Sequence, residues 1–481
     1  MNNKFPRLSV LKIGLSLSAA LFFIAGCAVG PDYKQPVMEL PQDYASSTIA
    51  DSNEQKWWTV FDDPDLNGLI EEAIANNRDI VAAVYRIDAS RALRDYASGE
   101  YYPNIDATGS YQRSKLSKDG QIQTPTTPKA TNIYSAGFDF LWEIDLFGRI
   151  KRTVESADAY YQASVEDYHD VMITMLAEVA RNYIELRTTQ ARIAYAENNV
   201  ATQQKTLELT QNLYQSEIVS ELDVRQAEFN LANTQAEIPS LHTAETANLN
   251  RLAVLVGQMP GQLKSKLAPY TNLPQIEDVN ITLPTDLLRQ RPDIRRAERQ
   301  LASQTARIGI ATSDLYPSLQ LSGYFHIQSR TFSGLGNINN KAYSFGPGIG
   351  WNIFDGNRIK NTIKVEEAAT NELLANWQNT VLSAVEDANN AMSSYTNGQM
   401  RTQSLDDSVK ASLRSVEIVE SLYKNGLTDF QNVLDTQRSL FVQQDKLASS
   451  EGQLLTDIVR IYKSFGIGWD NIPEINKEPQ K

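Results

Sequence analysis

Few residues of this chain could do chemistry. It has one cysteine, Cys27, and three histidines, His169, His242 and His326. Cys27 ends an N-terminal pattern. Lys4, Arg7 and Lys12 supply positive charge, Leu15 to Ile24 supply a short apolar core, and Ala25-Gly26 lead into the cysteine. That order is a secretory signal. Its end fits the motif in which small residues precede a cysteine that is diacylated before cleavage. Cys27 is therefore the candidate lipidation site, and a single cysteine excludes a disulfide within the chain. The histidines fall on different segments; His169 and His242 read as helix-surface residues rather than metal ligands. Gly346-x-Gly348-x-Gly350 has the spacing of a phosphate loop. It ends in a strand instead of a helix start, which removes the chemistry such a loop needs. Nothing resembling a catalytic constellation appears, and no cofactor or metal is expected.

The charge balance narrows the partners. The 481 residues carry a formal charge of -13, with 42% hydrophobic residues. An acidic chain without a basic patch argues against nucleic acid, whose phosphates would repel it. After the signal, no run reaches the 18 or more apolar residues of a membrane-spanning helix. Any membrane crossing must then be made by β-strands.

Two stretches alternate as strands do. Ile105, Ala107, Gly109 and Tyr111 share one face, opposite Asn104, Asp106, Thr108, Ser110 and Gln112. Tyr134, Ala136, Phe138, Phe140, Trp142 and Ile144 alternate with Ser135, Gly137, Asp139, Leu141 and Glu143. The second stretch repeats the pattern. Leu319, Leu321, Gly323, Phe325 and Ile327 oppose Ser318, Gln320, Ser322, Tyr324, His326 and Gln328; Tyr343, Phe345, Pro347, Ile349 and Trp351 oppose Ser344, Gly346, Gly348, Gly350 and Asn352. Segments of ~10 residues, apolar on one side and polar on the other, suit a transmembrane barrel. The same period fits a half-buried hairpin of a soluble sheet. The lipoprotein signal and the rows of Gly, Ser and Asn favour the membrane, with His326 on the water-filled side.

A very long helix follows each hairpin. From Arg149 to Ile238 there is neither Gly nor Pro. An apolar stripe runs through Ile150, Val154, Ala157, Tyr161, Val165, Tyr168, Met172, Met175, Val179, Tyr183 and Leu186, at an average step near 3.6. This predicts a helix to about Ser216, ~100 Å long at ~1.5 Å per residue, which must pack against a neighbour of similar length. Its return starts at Leu222-Asp223-Val224 and runs to about Val256. The second outgoing helix spans about Asn357 to Lys424 and returns from about Phe430 to Lys463. A further helix, from Pro284 to Thr312, leads into the second hairpin.

The chain is thus written twice. At an offset of 209, Trp142, Ile144, Arg149, Ile150, Lys151 and Thr153 fall on Trp351, Ile353, Arg358, Ile359, Lys360 and Thr362, and Leu213-Tyr214 fall on Leu422-Tyr423. Upstream the offset is 214, with Tyr102-Pro103 on Tyr316-Pro317. Two similar halves follow. The expected divisions are a signal at 1–26, a tether at 27–64, a first repeat at 65–256 (β-hairpin 103–145, helical hairpin 148–256), a connector at 257–284, a second repeat at 285–465 (β-hairpin 317–354, helical hairpin 357–464) and a tail at 466–481. Four strands per chain cannot close a barrel, and open edges are not tolerated in lipid. Three or four chains would leave a passage; two would give eight strands around an interior filled by side chains.

These motifs resemble one family. Cys27 is followed by Val29-Gly30-Pro31-Asp32-Tyr33, then by Trp57-Trp58-x-x-Phe61-x-Asp63-Pro64-x-Leu66. Further on come Trp142-x-x-Asp145-x-Phe147-Gly148-Arg149 and Leu283-Pro284-x-Asp286-Leu287-Leu288-x-x-Arg291-Pro292-Asp293-Ile294. Over essentially the whole mature chain the pattern is similar to the TolC-type outer-membrane efflux factors, in their lipoprotein branch serving RND-type pumps, the NodT group. The resemblance implies a mainly α fold with membrane β: a homotrimer with a twelve-stranded barrel continuous with a long periplasmic α-helical barrel. It implies a passive exit duct in the outer membrane, lipid-anchored and extending into the periplasm, not an enzyme. Its implied partners are a periplasmic adaptor and a proton-driven inner-membrane pump. The wider family also supplies an alternative, the duct of a type I polypeptide exporter.

In that family the helix tips close the periplasmic end. Here they are residues 213–223 and 422–430. Asp223 and Asp429, with Tyr423 near the inner side, are the expected gate residues, with Tyr214, Glu217 and Gly426 in the turns. Both aspartates also fit the first turn of the return helices, where carboxylates are favoured. Glu217 stands where the second copy has Gly426, which leaves the shape of the first turn open. The glycine is freer, so the second tip is expected to move more.

Overall fold

The computed structural model describes residues 28–38, 54–115, 117, 130–268, 273–274 and 286–468. Cys27, the signal, most of the tether, parts of the connector and the tail beyond residue 468 lie outside them. Contacts divide the chain into two compact units. The first holds the residues up to Val37, Asp88–Ala163 and Ala297–Trp377; the second holds the rest.

The elements follow the repeat. Helices α1 (Pro64–Asn76) and α2 (Arg78–Gly99) lead into strands β1 (Asn104–Ser114) and β2 (Thr131–Ile144). Then come α3 (Arg149–Gln215) and α4 (Glu221–Leu255). Helix α5 (Pro292–Ser313) opens the second half, followed by β3 (Ser318–Ser329), β4 (Lys341–Gly350), α6 (Arg358–Lys424) and α7 (Phe430–Ser464). Helices α3 and α6 have 67 residues each, and α4 and α7 have 35 each. A break at Asn77 separates α1 from α2. One expectation needs correction: the helix drawn from Pro284 to Thr312 is two helices, Asp286–Gln290 and Pro292–Ser313. Pro292 has no N–H to donate and restricts the residue before it, so a new helix starts there.

In the first unit the strands form one antiparallel sheet in the order β1-β2-β3-β4. The register is unbroken and keeps the two faces apart. Ala107, Phe138, Phe325 and Tyr343 make one cross-strand row; Ile105, Phe140, Gly323 and Phe345 make the next. The opposite face carries Asp106, Asp139, Tyr324 and Ser344 in one row and Thr108, Gly137, His326 and Ala342 in another. Strand-to-helix junctions repeat as well. Trp142 Nε1 donates to the Tyr101 carbonyl at 2.9 Å, and Trp351 Nε1 donates to the Leu315 carbonyl at 3.0 Å. Arg149 grips Glu143 through two bonds of 2.7 and 2.9 Å and reaches Glu100 at 3.1 Å. Phe147 stacks on Tyr316.

The stretch after Cys27 is pinned within this unit. Val29 N–H donates to Phe147 O at 3.0 Å, and Ala28 fills the space above Gly148. Buried Arg152 binds Asp32 at 2.7 Å, which holds the Asp32 carboxyl below its usual range. Tyr33 donates to Glu298 at 3.0 Å. Residues 28–37 are therefore a strap fixed by these contacts within the first unit.

The apolar stripe of α3 splits in two. From Tyr168 onward the named residues are buried, with Met172, Val179, Tyr183 and Leu186 fully covered. Before that, Val154, Ala157, Tyr161 and Val165 are only half-buried. There the covered residues are Ile150, the first of the stripe, with Arg152, Ser156, Ala159, Ala163 and Glu166. The reason is polar packing: Ser156 exchanges hydrogen bonds with Ser303 of α5 at 2.8–3.0 Å.

In the second unit the aromatic motif is core. Trp57, Trp58 and Phe61 are buried, and Trp57 stacks on Tyr462 at 5.3 Å. Asp63 caps α1, accepting from Asp65 N and Leu66 N at 2.9 and 3.0 Å. Its other oxygen accepts from Tyr183 at 2.7 Å, and burial with that contact raises the Tyr183 pKa. Fully buried Arg187 joins Tyr183, Asp65, Gln190 and the Leu267 carbonyl at 2.9–3.1 Å. Arg291 forks onto Asp293 at 2.8 and 3.1 Å and donates to Ser464 O at 2.6 Å.

Candidate functional site

Two places present side chains without a structural explanation: the faces of the sheet, and the tips of the helical hairpins. On the sheet the apolar face is bare. Ile105, Phe138, Tyr343, Phe345 and Ile349 are all more than half exposed. Covering one such side chain is worth about 1.5–3 kcal/mol, so this face forfeits on the order of 10 kcal/mol if water touches it. A soluble sheet would bury it. Strands β1 and β4 are edges, with rows of backbone donors and acceptors that invite further pairing. Among the described residues no helix is long and apolar enough to cross a membrane.

The two tips share one turn geometry. In the first, Glu217 N–H donates to Tyr214 O and Ile218 N–H to Leu213 O, both at 2.9 Å. In the second, Gly426 N–H donates to Tyr423 O and Leu427 N–H to Leu422 O, both at 2.9 Å. This paired closure is the Schellman motif, which needs a left-handed residue. Gly426 supplies φ 69°, and Glu217 adopts φ 58°. The first turn therefore keeps its shape despite the missing glycine. Gly426 takes this region at no steric cost, whereas at Glu217 the side chain disfavours it.

The aspartates are not ordinary caps. Asp429 is the N-cap of α7 and Ser220 that of α4, yet neither makes a side-chain cap bond. Asp429 is exposed; Asp223 is half-buried and accepts from Ser220 Oγ at 3.3 Å. Tyr423 is 8% exposed, inside a cluster with Leu207, Val224, Val419, Phe430 and Val433. Its ring lies 5.2 Å from that of Phe430. Its hydroxyl is buried next to Thr210; burial raises its pKa, Thr210 pulls against that rise, and the Asp223 charge adds to it. Its twin Tyr214 is 44% exposed. The sequence held a signal for this difference. At the 209 offset Phe430 corresponds to Glu221, so only Tyr423 has an aromatic neighbour.

The histidines are spread as expected, with one adjustment. His242 is exposed, and His169 is partly buried and paired with Glu166 at 3.2 Å. His326 sits on the polar face of the sheet, 3.2 Å from Asp139.

The profile of the outer membrane efflux protein family matches residues 69–258 and again 283–467. The chain belongs to that family. The two matches coincide with the two repeats. Nodulation protein T of Rhizobium leguminosarum bv. trifolii is 32% identical over 440 residues, 88% of this chain and 91% of the relative. The solvent efflux pump outer membrane protein SrpC of Pseudomonas putida is 30% identical over 464 residues, 94% of this chain and 97% of the relative. Among solved structures, the outer-membrane channel OprN matches with TM-score 0.86 and 36% identity, over 92% of this chain and 100% of that one. The Campylobacter jejuni CmeC outer membrane channel shares the fold, with TM-score 0.83 at 20% identity. Family and fold are those of efflux channels, not of enzymes.

Proposed function

We propose that three copies of this chain form the outer-membrane channel of a tripartite RND-type efflux system. The observation that carries the reading is the open four-stranded sheet, with two unpaired edges and a bare apolar face. Three such sheets give twelve strands, pair every edge and place the apolar rows against lipid. The polar face, rich in Gly, Ser and Gln, then lines a water-filled passage. The long helical hairpins form a periplasmic α-helical barrel, with a periplasmic adaptor and an inner-membrane pump as partners. Small molecules leave passively through it. The half-buried stripe of Val154, Tyr161 and Val165 is suited to contact with a second copy.

A lipid on Cys27 fits this arrangement. Ala28, the next residue, packs on Gly148, just past the end of β2. Each methylene of an acyl chain buried in lipid adds ~0.8 kcal/mol of anchoring. At the tips, Asp223 and Asp429 form the periplasmic constriction, repeated by symmetry as acidic rings. Tyr423 acts from behind, as packing that positions both return helices. Tyr214, Glu217 and Gly426 shape the turns.

The test is electrical. Purified full-length protein in planar bilayers is expected to give small unitary steps, which grow when Asp223 or Asp429 is replaced by Ala. Inserted protein that never conducts would remove the channel reading. Conductance and ion selectivity unchanged in both variants would remove the gate.

A further inference from the structure

One group of side chains on the polar face of the sheet is unused by the account so far. Asp139 Oδ1 lies 3.2 Å from His326 Nε2, and Asp139 Oδ2 accepts from Thr108 Oγ1 at 2.7 Å. Thr108 Oγ1 is also 3.4 Å from His326 Nε2. The Tyr324 ring packs on the imidazole with centroids 5.0 Å apart. Beneath the imidazole lies Gly137, where a Cβ would run into the His326 ring and the Phe325 carbonyl. The ring is thus seated on backbone and held by three strands.

Its surroundings are acidic. Asp106 stands directly opposite Asp139 in the β1–β2 register. Like charges at opposed positions destabilise a sheet, and Asn104, at 2.8 Å from Asp106, relieves only part of that cost. Charges on this face can be counted strand by strand. Strand β1 gives Asp106, β2 gives Asp139 and Glu143, β3 gives His326, and β4 gives none, since its residues there are Ala342, Ser344, Gly346, Gly348 and Gly350. Glu143 is neutralised by its two bonds to Arg149. Arg113 and Lys341 belong to the opposite phase of their strands. Among the described strand residues Asp106 and Asp139 therefore set the charge of the face, with His326 the group beside them that can offset it and Arg330 one residue past the end of β3.

We propose that Asp106, Asp139 and His326 form a pH-responsive charge filter in the wall of the passage, favouring cations at neutral pH and weakening that preference in acid. The proposal rests on the channel reading above. Histidine changes charge between pH 5 and 8. A protonated imidazole beside Asp139 offsets one of the two carboxylates, which halves the fixed charge each chain presents. Rings of carboxylates select cations in proportion to that charge. Thr108 and Tyr324 act as positioning residues, which keep the imidazole against Asp139.

The test is reversal potential in a potassium chloride gradient, measured on full-length protein in planar bilayers at pH 8 and pH 5.5. In the native protein the cation-to-anion permeability ratio should fall by about two-fold on acidification. His326→Gln should keep the pH 8 ratio and lose the fall. Asp139→Asn should show a low ratio at both pH values, and it gives an independent arm if the glutamine variant does not assemble. A conducting native protein with the same ratio at both pH values overturns the filter and leaves the channel standing. So does a His326→Gln variant with an undiminished fall. A native protein that inserts and never conducts overturns both.

Discussion

The tip turns allow a reciprocal test of how the duplicated halves differ. Gly426 and Glu217 occupy the same left-handed position, at φ 69° and 58°. A Cβ on Gly426 would meet nothing within 4 Å, so Gly426→Ala carries a purely conformational cost. That cost is about 1 kcal/mol. Glu217→Gly releases a similar strain but enlarges the unfolded ensemble, for a net gain of about 0.5–1 kcal/mol. These are local effects, read best from amide exchange. The reporters are the Ile218 and Leu427 amides, each bonded across its turn at 2.9 Å. A change of 1 kcal/mol alters an opening equilibrium about five-fold. Ile218 exchange should slow several-fold in Glu217→Gly, and Leu427 exchange should quicken about five-fold in Gly426→Ala. Native protein should already exchange faster at Ile218 than at Leu427. Equal protection in the native protein, with no response to either substitution, would refute the strain argument.

Other predictions follow from buried groups. Arg187→Met leaves Asp65, Tyr183 and the Leu267 carbonyl without their buried partner, and should lower stability by about 3–5 kcal/mol in thermal unfolding. Tyr423→Phe keeps the packing on Phe430 and removes only the hydroxyl beside Thr210; it should cost no more than about 1 kcal/mol, by the same assay, and should leave conductance unchanged. Asp457 is buried, and burial raises its pKa above the ordinary 3.8 against the opposing pull of Gln453 and Arg460. The folded state holds that proton more tightly, so the stabilisation is complete below pH 3.8 and is lost as pH rises through the folded pKa. Asp457→Asn should therefore melt higher than the native protein at pH 7, with the difference closing towards pH 3.8.

Much of the fold was legible because its signals are periodic. Alternation over ten residues marked each strand, and the register kept every predicted apolar row on one face. Absence of Gly and Pro after Gly148 marked the start of α3 at Arg149. The 214 and 209 offsets placed both tryptophan anchors, Trp142 and Trp351, before their carbonyl partners were visible. What stayed hidden depends on contacts between distant segments. Burial of Arg152 and Ser156 in place of Val154 and Ala157 follows from Asp32 and Ser303, and helical periodicity cannot report them. The strap at residues 28–37 looked like a loose tether because its anchors, Arg152 and Glu298, lie far along the chain. At the tips, the sequence marked the turns but not which tyrosine is inside. Phe430 decides that, and its mismatch with Glu221 at the 209 offset is the trace of it in the sequence.

The central claim is that β1 of one chain pairs with β4 of the next until three chains close the ring. A short bismaleimide crosslinker tests it in membranes holding full-length protein with Thr108→Cys on β1 and Ser344→Cys on β4. The expected product on a denaturing gel is a ladder of one, two and three chains, ending at three. No linked species, or a ladder that ends at four or continues without end, would contradict the account.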